Sequence, residues 1–171
     1  RKVKAIKVFL QHGVLGTKIT VHFYGKQSPS FDTDLFLVSS DYEREIILND
    51  FGYNKKEVKV TGLSRFDALF AKDVEVRRQL LIIPTWREWL VNEDTFLNSE
   101  YFERYRDLVN HPRLHEMAKE YNFEIVFCLH PNMQQFTSFF KDAPVRVISQ
   151  GEVDVQFLLK ESAMMITDYS S

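Results

Sequence analysis

Apolar positions along the chain fall in short blocks separated by polar runs, and the blocks alternate between strand-like and helix-like periods. Val3 to Leu10 reads as a strand whose apolar end, Val8-Phe9-Leu10, runs into the polar break Gln11-His12-Gly13. A loop is expected over 24–34. Leu35 to Val38 is a compact buried strand, and Ser40-Asp41-Tyr42-Glu43 after it has the spacing of a capping box that opens a helix to about Phe51, closed by Gly52. Val58 to Gly62 is the next strand. Ser64-Arg65-Phe66-Asp67 has N-cap spacing into a short helix ending near Ala71.

The same unit then recurs. Leu80 to Ile83 is a buried strand stopped by Pro84, and Phe96 to Tyr121 reads as helix broken at His111-Pro112, with Pro placed at a first helical position. Glu124 to Leu129 is a strand ending in His130-Pro131. Phe136 to Phe140 is expected on a helix, Val145 to Ile148 on a strand and Val155 to Leu159 on a helix. Ala163 to Ile166 then closes as a short buried strand running into Thr167-Asp168-Tyr169-Ser170-Ser171. Strands alternating with helices predict an α/β fold, a Rossmann-like parallel sheet with helices on both faces.

Composition narrows the classes. With 171 residues, 44% of them hydrophobic, the chain can bury a real core, and its 15 Phe make that core aromatic. A balance of 22 basic against 24 acidic residues carries neither a nucleic-acid footprint nor an acidic tail. One Cys excludes an internal disulfide framework and fits a reducing compartment; Cys128, inside an apolar run, reads as a small buried hydrophobe. The longest apolar run, Leu80 to Pro84, is far short of the roughly 20 residues of a spanning helix. Arg1 to Lys7 alternates charged with apolar residues and has no signal-peptide h-region. A soluble or at most peripheral chain is expected.

Five predicted strand ends carry polar groups directly after an apolar run: His12, Arg65, Thr85 with Arg87, His130, and Asp168 with Ser170 and Ser171. In one parallel sheet these ends would converge on one edge, where α/β proteins bind ligands. Two His, two Arg, hydroxyls and a helix start favour a phosphorylated ligand. No Walker pattern and no G-x-G-x-x-G is present, so side chains and helix starts would build the site. Each residue also has a plainer reading. His12 and His130 could be loop residues, Ser40 with Glu43 and Ser64 with Asp67 helix caps, Trp86 core, Arg87 surface, and Asp168 a turn acceptor. His111 and His115 are four apart, but no metalloprotease Glu accompanies them, and no metal site is expected.

Taken in order, Gln11-His12-Gly13, Gly62-Leu63-Ser64-Arg65-Phe66-Asp67, Ile83-Pro84-Thr85-Trp86-Arg87, His130-Pro131 and Ile166-Thr167-Asp168-Tyr169-Ser170-Ser171 resemble the CDP-glycerol glycerophosphotransferases, the teichoic acid polymerases and primases with their ribitol-phosphate relatives. The resemblance covers essentially the whole chain. It implies a GT-B-type transferase, two Rossmann-like domains with the CDP-alcohol between them. On that view residues 1–18 are the tail of the first domain and 19–171 most of the nucleotide-binding second, within a longer enzyme. His12 resembles the general base for the acceptor hydroxyl. The CDP-alcohol would be held by Gly13, Arg65, Pro84, Thr85 and His130, with Ser170 and Ser171 on its phosphates and Arg87 and Asp168 in support. The implied partners are CDP-glycerol or CDP-ribitol and a lipid-linked polymer acceptor, with no cofactor, no nucleic acid, and a cytoplasmic location peripheral to the inner face of the cell membrane. Two departures stand out: the family's Gly-x-Pro-Arg is Gly62-Leu63-Ser64-Arg65 here, and the aromatic often found before His-Gly is Gln11. The competing expectations are a nucleotide-sugar glycosyltransferase of the same architecture and a non-catalytic nucleotide-binding module.

Overall fold

A computed structural model describes residues 5–15, 20–70, 74–149 and 152–168. The chain parts into two compact units, residues 1–71 and 72–170. The expected domain division at 18/19 lies outside the described residues, as do Ser170 and Ser171.

The first unit is built on a parallel three-stranded sheet in the order β1 (Val8–Phe9), β2 (Leu35–Val38), β3 (Val58–Val60), with Val8 opposite Leu35 and Phe36 opposite Val58. Helix α1 (Val21–Tyr24) precedes the stretch expected as loop and ends on its first residue. Helix α2 (Asp41–Asp50) starts where its cap predicts, the Ser40 side chain accepting from the Glu43 N–H. The capping box is only half made. The Glu43 carboxylate accepts from the N–H and hydroxyl of Ser39. Gly52, at φ +78°, turns the chain out of α2 in the left-handed conformation that glycine adopts without strain. Phe36 and Val38 of β2 bury one face of the sheet against Ile47, Phe51, Tyr53 and Val58.

The second unit holds a parallel four-stranded sheet in the order β6 (Arg146–Ile148), β5 (Glu124–Cys128), β4 (Arg77–Ile82), β7 (Ser162–Ile166). Gln79 to Ile82 of central β4 are all buried, as a parallel strand covered on both faces requires. Leu80 and Ile82 enter a large aromatic cluster with Phe96, Phe102, Phe127, Phe136 and Phe140. Leu81 points to the opposite face, with Val126, Cys128, Ile148 and Leu158 of α6 (Val155–Glu161). The helical stretch expected over 96–121, broken at His111-Pro112, is three helices: α3 (Glu93–Leu97), α4 (Glu100–Asn110) and α5 (Pro112–Glu120). The break at His111-Pro112 falls as read; the other comes at Ser99, whose side chain caps α4 by accepting from Phe102 N–H. The helices expected near 64–71 and 136–140 are 3-10 turns over Ser64–Phe70 and Pro131–Phe140.

The chain runs from β4 to β5 and β6 on one side, then returns to β7 on the other. The order reverses between β4 and β7, and their carboxyl ends frame the crevice where such sheets bind ligands. Among the described residues no helix is long and apolar enough to cross a membrane.

Candidate active site

The five strand ends do not share one sheet: His12 and Arg65 follow β1 and β3 in the first unit, whereas Thr85, Arg87, His130 and Asp168 follow β4, β5 and β7 in the second.

In the first unit the Gln11-His12-Gly13 break leaves β1 with Gln11 at φ +21°, a left-handed conformation that is uncommon outside glycine. Gln11 Nε2 donates to the Leu37 carbonyl at 2.9 Å. Arg65 Nη1 donates to the His12 carbonyl, and its guanidinium lies over the Phe66 ring. Two predicted residues therefore meet, through backbone, and the His12 residue is exposed.

In the second unit Asp168 is the hub of the switch point. One carboxylate oxygen accepts from the Thr85 N–H at 2.9 Å. The other accepts from Arg87 Nη2 at 2.6 Å and the Tyr105 hydroxyl at 2.9 Å. Arg87 also donates to the Thr85 carbonyl at 2.9 Å, and Thr167 Oγ1 donates to the Ile83 carbonyl at 2.8 Å. These bonds tie the loop after β4 to the loop after β7. Pro84 is buried at the turn, and the Thr85 Oγ1 is buried with no partner among the described residues.

Beside this hub lies a cavity of about 460 Å³, lined among others by Arg87, Trp89, Tyr101, Arg104, Tyr105 and Asp168. The Arg87 guanidinium sits 5.4 Å from the Tyr101 ring centroid. Burial pushes the phenols of Tyr101 and Tyr105 well above the usual range, with the Asp168 charge adding to both, so both stay protonated and Tyr105 remains a donor. The sequence reading missed both tyrosines. Their signal was the four-residue spacing, which puts them on one face of α4.

His130 caps the 3-10 turn that follows β5, its Nδ1 accepting from the Asn132 N–H at 3.2 Å. The neutral ring therefore carries its proton on Nε2, which is left as a donor. Burial lowers its pKa, favouring that neutral form at pH 7. Trp86 stacks on the ring at 5.9 Å and 21°. The other helical histidines have local uses: His111 Nδ1 caps α5, and His115 Nε2 pairs with the Val109 carbonyl at 2.7 Å.

The sequence profile of the family described as CDP-glycerol:poly(glycerophosphate) glycerophosphotransferase matches residues 8–171. The chain belongs to that family. A curated relative, the minor teichoic acid biosynthesis protein GgaB of Bacillus subtilis (strain 168), is 34% identical over 176 aligned residues, which cover 96% of this chain and 19% of GgaB. The chain thus spans about a fifth of that relative's length. Among solved structures, a variant of the wall teichoic acid polymerase TagF soaked with CDPG matches with a TM-score of 0.52 at 23% identity, over 81% of this chain and 36% of that one. A second TagF variant matches with a TM-score of 0.52 at 21% identity and the same coverage. At these identities the likeness to TagF concerns the fold. At the switch point the Arg87 guanidinium is held by Asp168 and the Thr85 carbonyl, and the neutral His130 ring keeps an Nε2–H donor.

Proposed function

We propose that this chain serves a transferase that moves glycerol phosphate, or ribitol phosphate, from a CDP-alcohol to the hydroxyl end of a teichoic acid or related cell-wall polymer. The family match over residues 8–171 carries this reading. The name of GgaB, a minor teichoic acid biosynthesis protein, supports it.

In the reaction the acceptor oxygen attacks the β-phosphorus of the CDP-alcohol. A new O–P bond forms, the bond from the β-phosphorus to the bridging oxygen breaks, and CMP leaves with that oxygen. His12 takes the acceptor proton, because an alcohol is a poor nucleophile until deprotonated and a neutral imidazole suits that task near pH 7. The second unit holds the nucleotide: the Thr85 hydroxyl and His130 Nε2–H donate to diphosphate oxygens, and Ser170 and Ser171 add hydroxyls. Phosphoryl transfer asks mainly for such positioning and for donors facing the developing charge. Arg87 and Asp168 hold the loops in place; Gly13 and Arg65 shape the His12 loop. The acceptor is lipid-linked, and the protein works peripherally on the inner face of the membrane.

The test is CMP release by the full-length protein offered CDP-glycerol, CDP-ribitol and UDP-sugars in parallel with acceptor. Turnover of a CDP-alcohol is expected; transfer only from a UDP-sugar would replace this reading with a glycosyltransferase. His12→Ala should lower turnover by about 100-fold or more; near-normal turnover would rule His12 out as the base.

A further inference from the structure

Glu43 is among the few charged residues buried in the described part of the chain, 1% exposed. A carboxylate taken out of water needs hydrogen-bond donors, and Glu43 has four. Its Oε2 accepts from Ser39 N–H at 2.6 Å and Ser39 Oγ at 2.7 Å. Its Oε1 accepts from Gln11 Nε2 at 3.0 Å and from the Leu15 N–H at 2.7 Å. The first pair is local and serves the start of α2. The second reaches 32 and 28 residues back along the chain, to the loop that leaves β1.

Those two long-range donors stand on either side of His12. Gln11 is pinned twice, because the same Nε2 that meets Glu43 also donates to the Leu37 carbonyl. Its backbone sits at φ +21°, a conformation that persists in a non-glycine residue only when its surroundings hold it. The bonds to Ser39 and Ser40 serve the start of α2. The bonds to Gln11 and Leu15 fix the backbone of the His12 loop instead, while the His12 residue stays exposed.

We propose that Glu43 is a positioning residue for the reaction: by clamping Gln11 and Leu15 to the carboxyl end of β2, it sets the loop that presents the His12 ring to the acceptor hydroxyl. The inference rests on the reading of His12 as base. It also gives Gln11, which departs from the family's usual aromatic, a use as the amide that reaches the carboxylate.

Two variants of the full-length protein test this, with His12→Ala beside them. Glu43→Gln keeps size but turns an N–H₂ toward donors that need an acceptor. Gln11→Met removes one arm of the clamp at a partly exposed position. Misplacing a catalytic group by about 1 Å can cost on the order of 100-fold, so kcat should fall by about 10- to 100-fold in Glu43→Gln and less in Gln11→Met. KM for CDP-glycerol should hold, and amide hydrogen exchange should speed up across 11–15 while the core of α2 keeps its protection. Unchanged kcat in both variants with an inactive His12→Ala would overturn the role of Glu43 and leave the His12 reading standing. A fall in kcat matched by an equal rise in KM and loss of protection throughout the unit would reduce Glu43 to a structural group. An active His12→Ala would remove the base and this proposal with it.

Discussion

A ring at a strand end is ambiguous until its two nitrogens are accounted for, and His130 shows what decides it. Nδ1 is spent on the Asn132 N–H, burial disfavours the imidazolium, and Trp86 covers one side. Because the folded ring holds its proton less tightly than the unfolded one, the unfolded state binds more protons as pH falls through the ordinary value of 6.5. Stability from this group is therefore full above that pH, is lost as pH drops toward the folded pKa, and levels off below it. A thermal melt series between neutral and mildly acidic pH should show this loss, and His130→Asn, which can still cap but cannot titrate, should reduce it. An identical pH series in both proteins would show that His130 does not titrate differently on folding. Asp168 and Glu43 show the limit of reading single residues. Both were legible as acceptors near a turn or a helix start, but their long-range donors, Tyr105, Arg87, Gln11 and Leu15, come from distant positions that no local pattern pairs.

At the scale of elements, long periodic segments were readable and short ones were not. β2 and α2 form where their apolar block and Ser40 cap predict, and the helix break at His111-Pro112 follows from the geometry of proline. Helix α3 was not told apart from α4, and its start was missed, because five residues show no period and its capping box uses Thr95 where the familiar signature has Glu or Gln. Yet α3 carries Phe96, fully buried and stacked on Phe136 at 4.1 Å and 6°. A short helix held by its core side chain should lose far more from the ring than from the cap. Phe96→Ala is expected to cost about 3–5 kcal/mol and Asn92→Ala about 1 kcal/mol, measured by urea unfolding. Comparable losses for the two would mean that the cap, not the aromatic cluster, holds α3. The 3-10 turns at Ser64–Phe70 and Pro131–Phe140 were read as helix because apolar spacing over one or two turns does not separate the two geometries.

At the scale of the whole molecule, the βα alternation announced a parallel α/β fold but not that its strands form two sheets. The stretch 71–76, Ala-Lys-Asp-Val-Glu-Val, contains no Gly or Pro to mark a boundary, so a single edge with all five polar ends was the natural expectation. Two sheets with separate cores change what each variant should do. If the second unit holds the nucleotide and the first supplies the base, binding and turnover must respond to different residues. Calorimetric titration of the full-length protein with CMP separates them. His130→Ala should weaken CMP by about 10-fold or more, the scale of a lost hydrogen bond to a charged group, whereas His12→Ala should leave CMP affinity where it was and abolish turnover. The nucleotide contacts are proposed for the loops after β4, β5 and β7 of the second unit, whereas His12 follows β1 in the first. Equal weakening by both variants would place His12 against the nucleotide and end the division of labour; weakening by His12→Ala alone would move the nucleotide to the first unit.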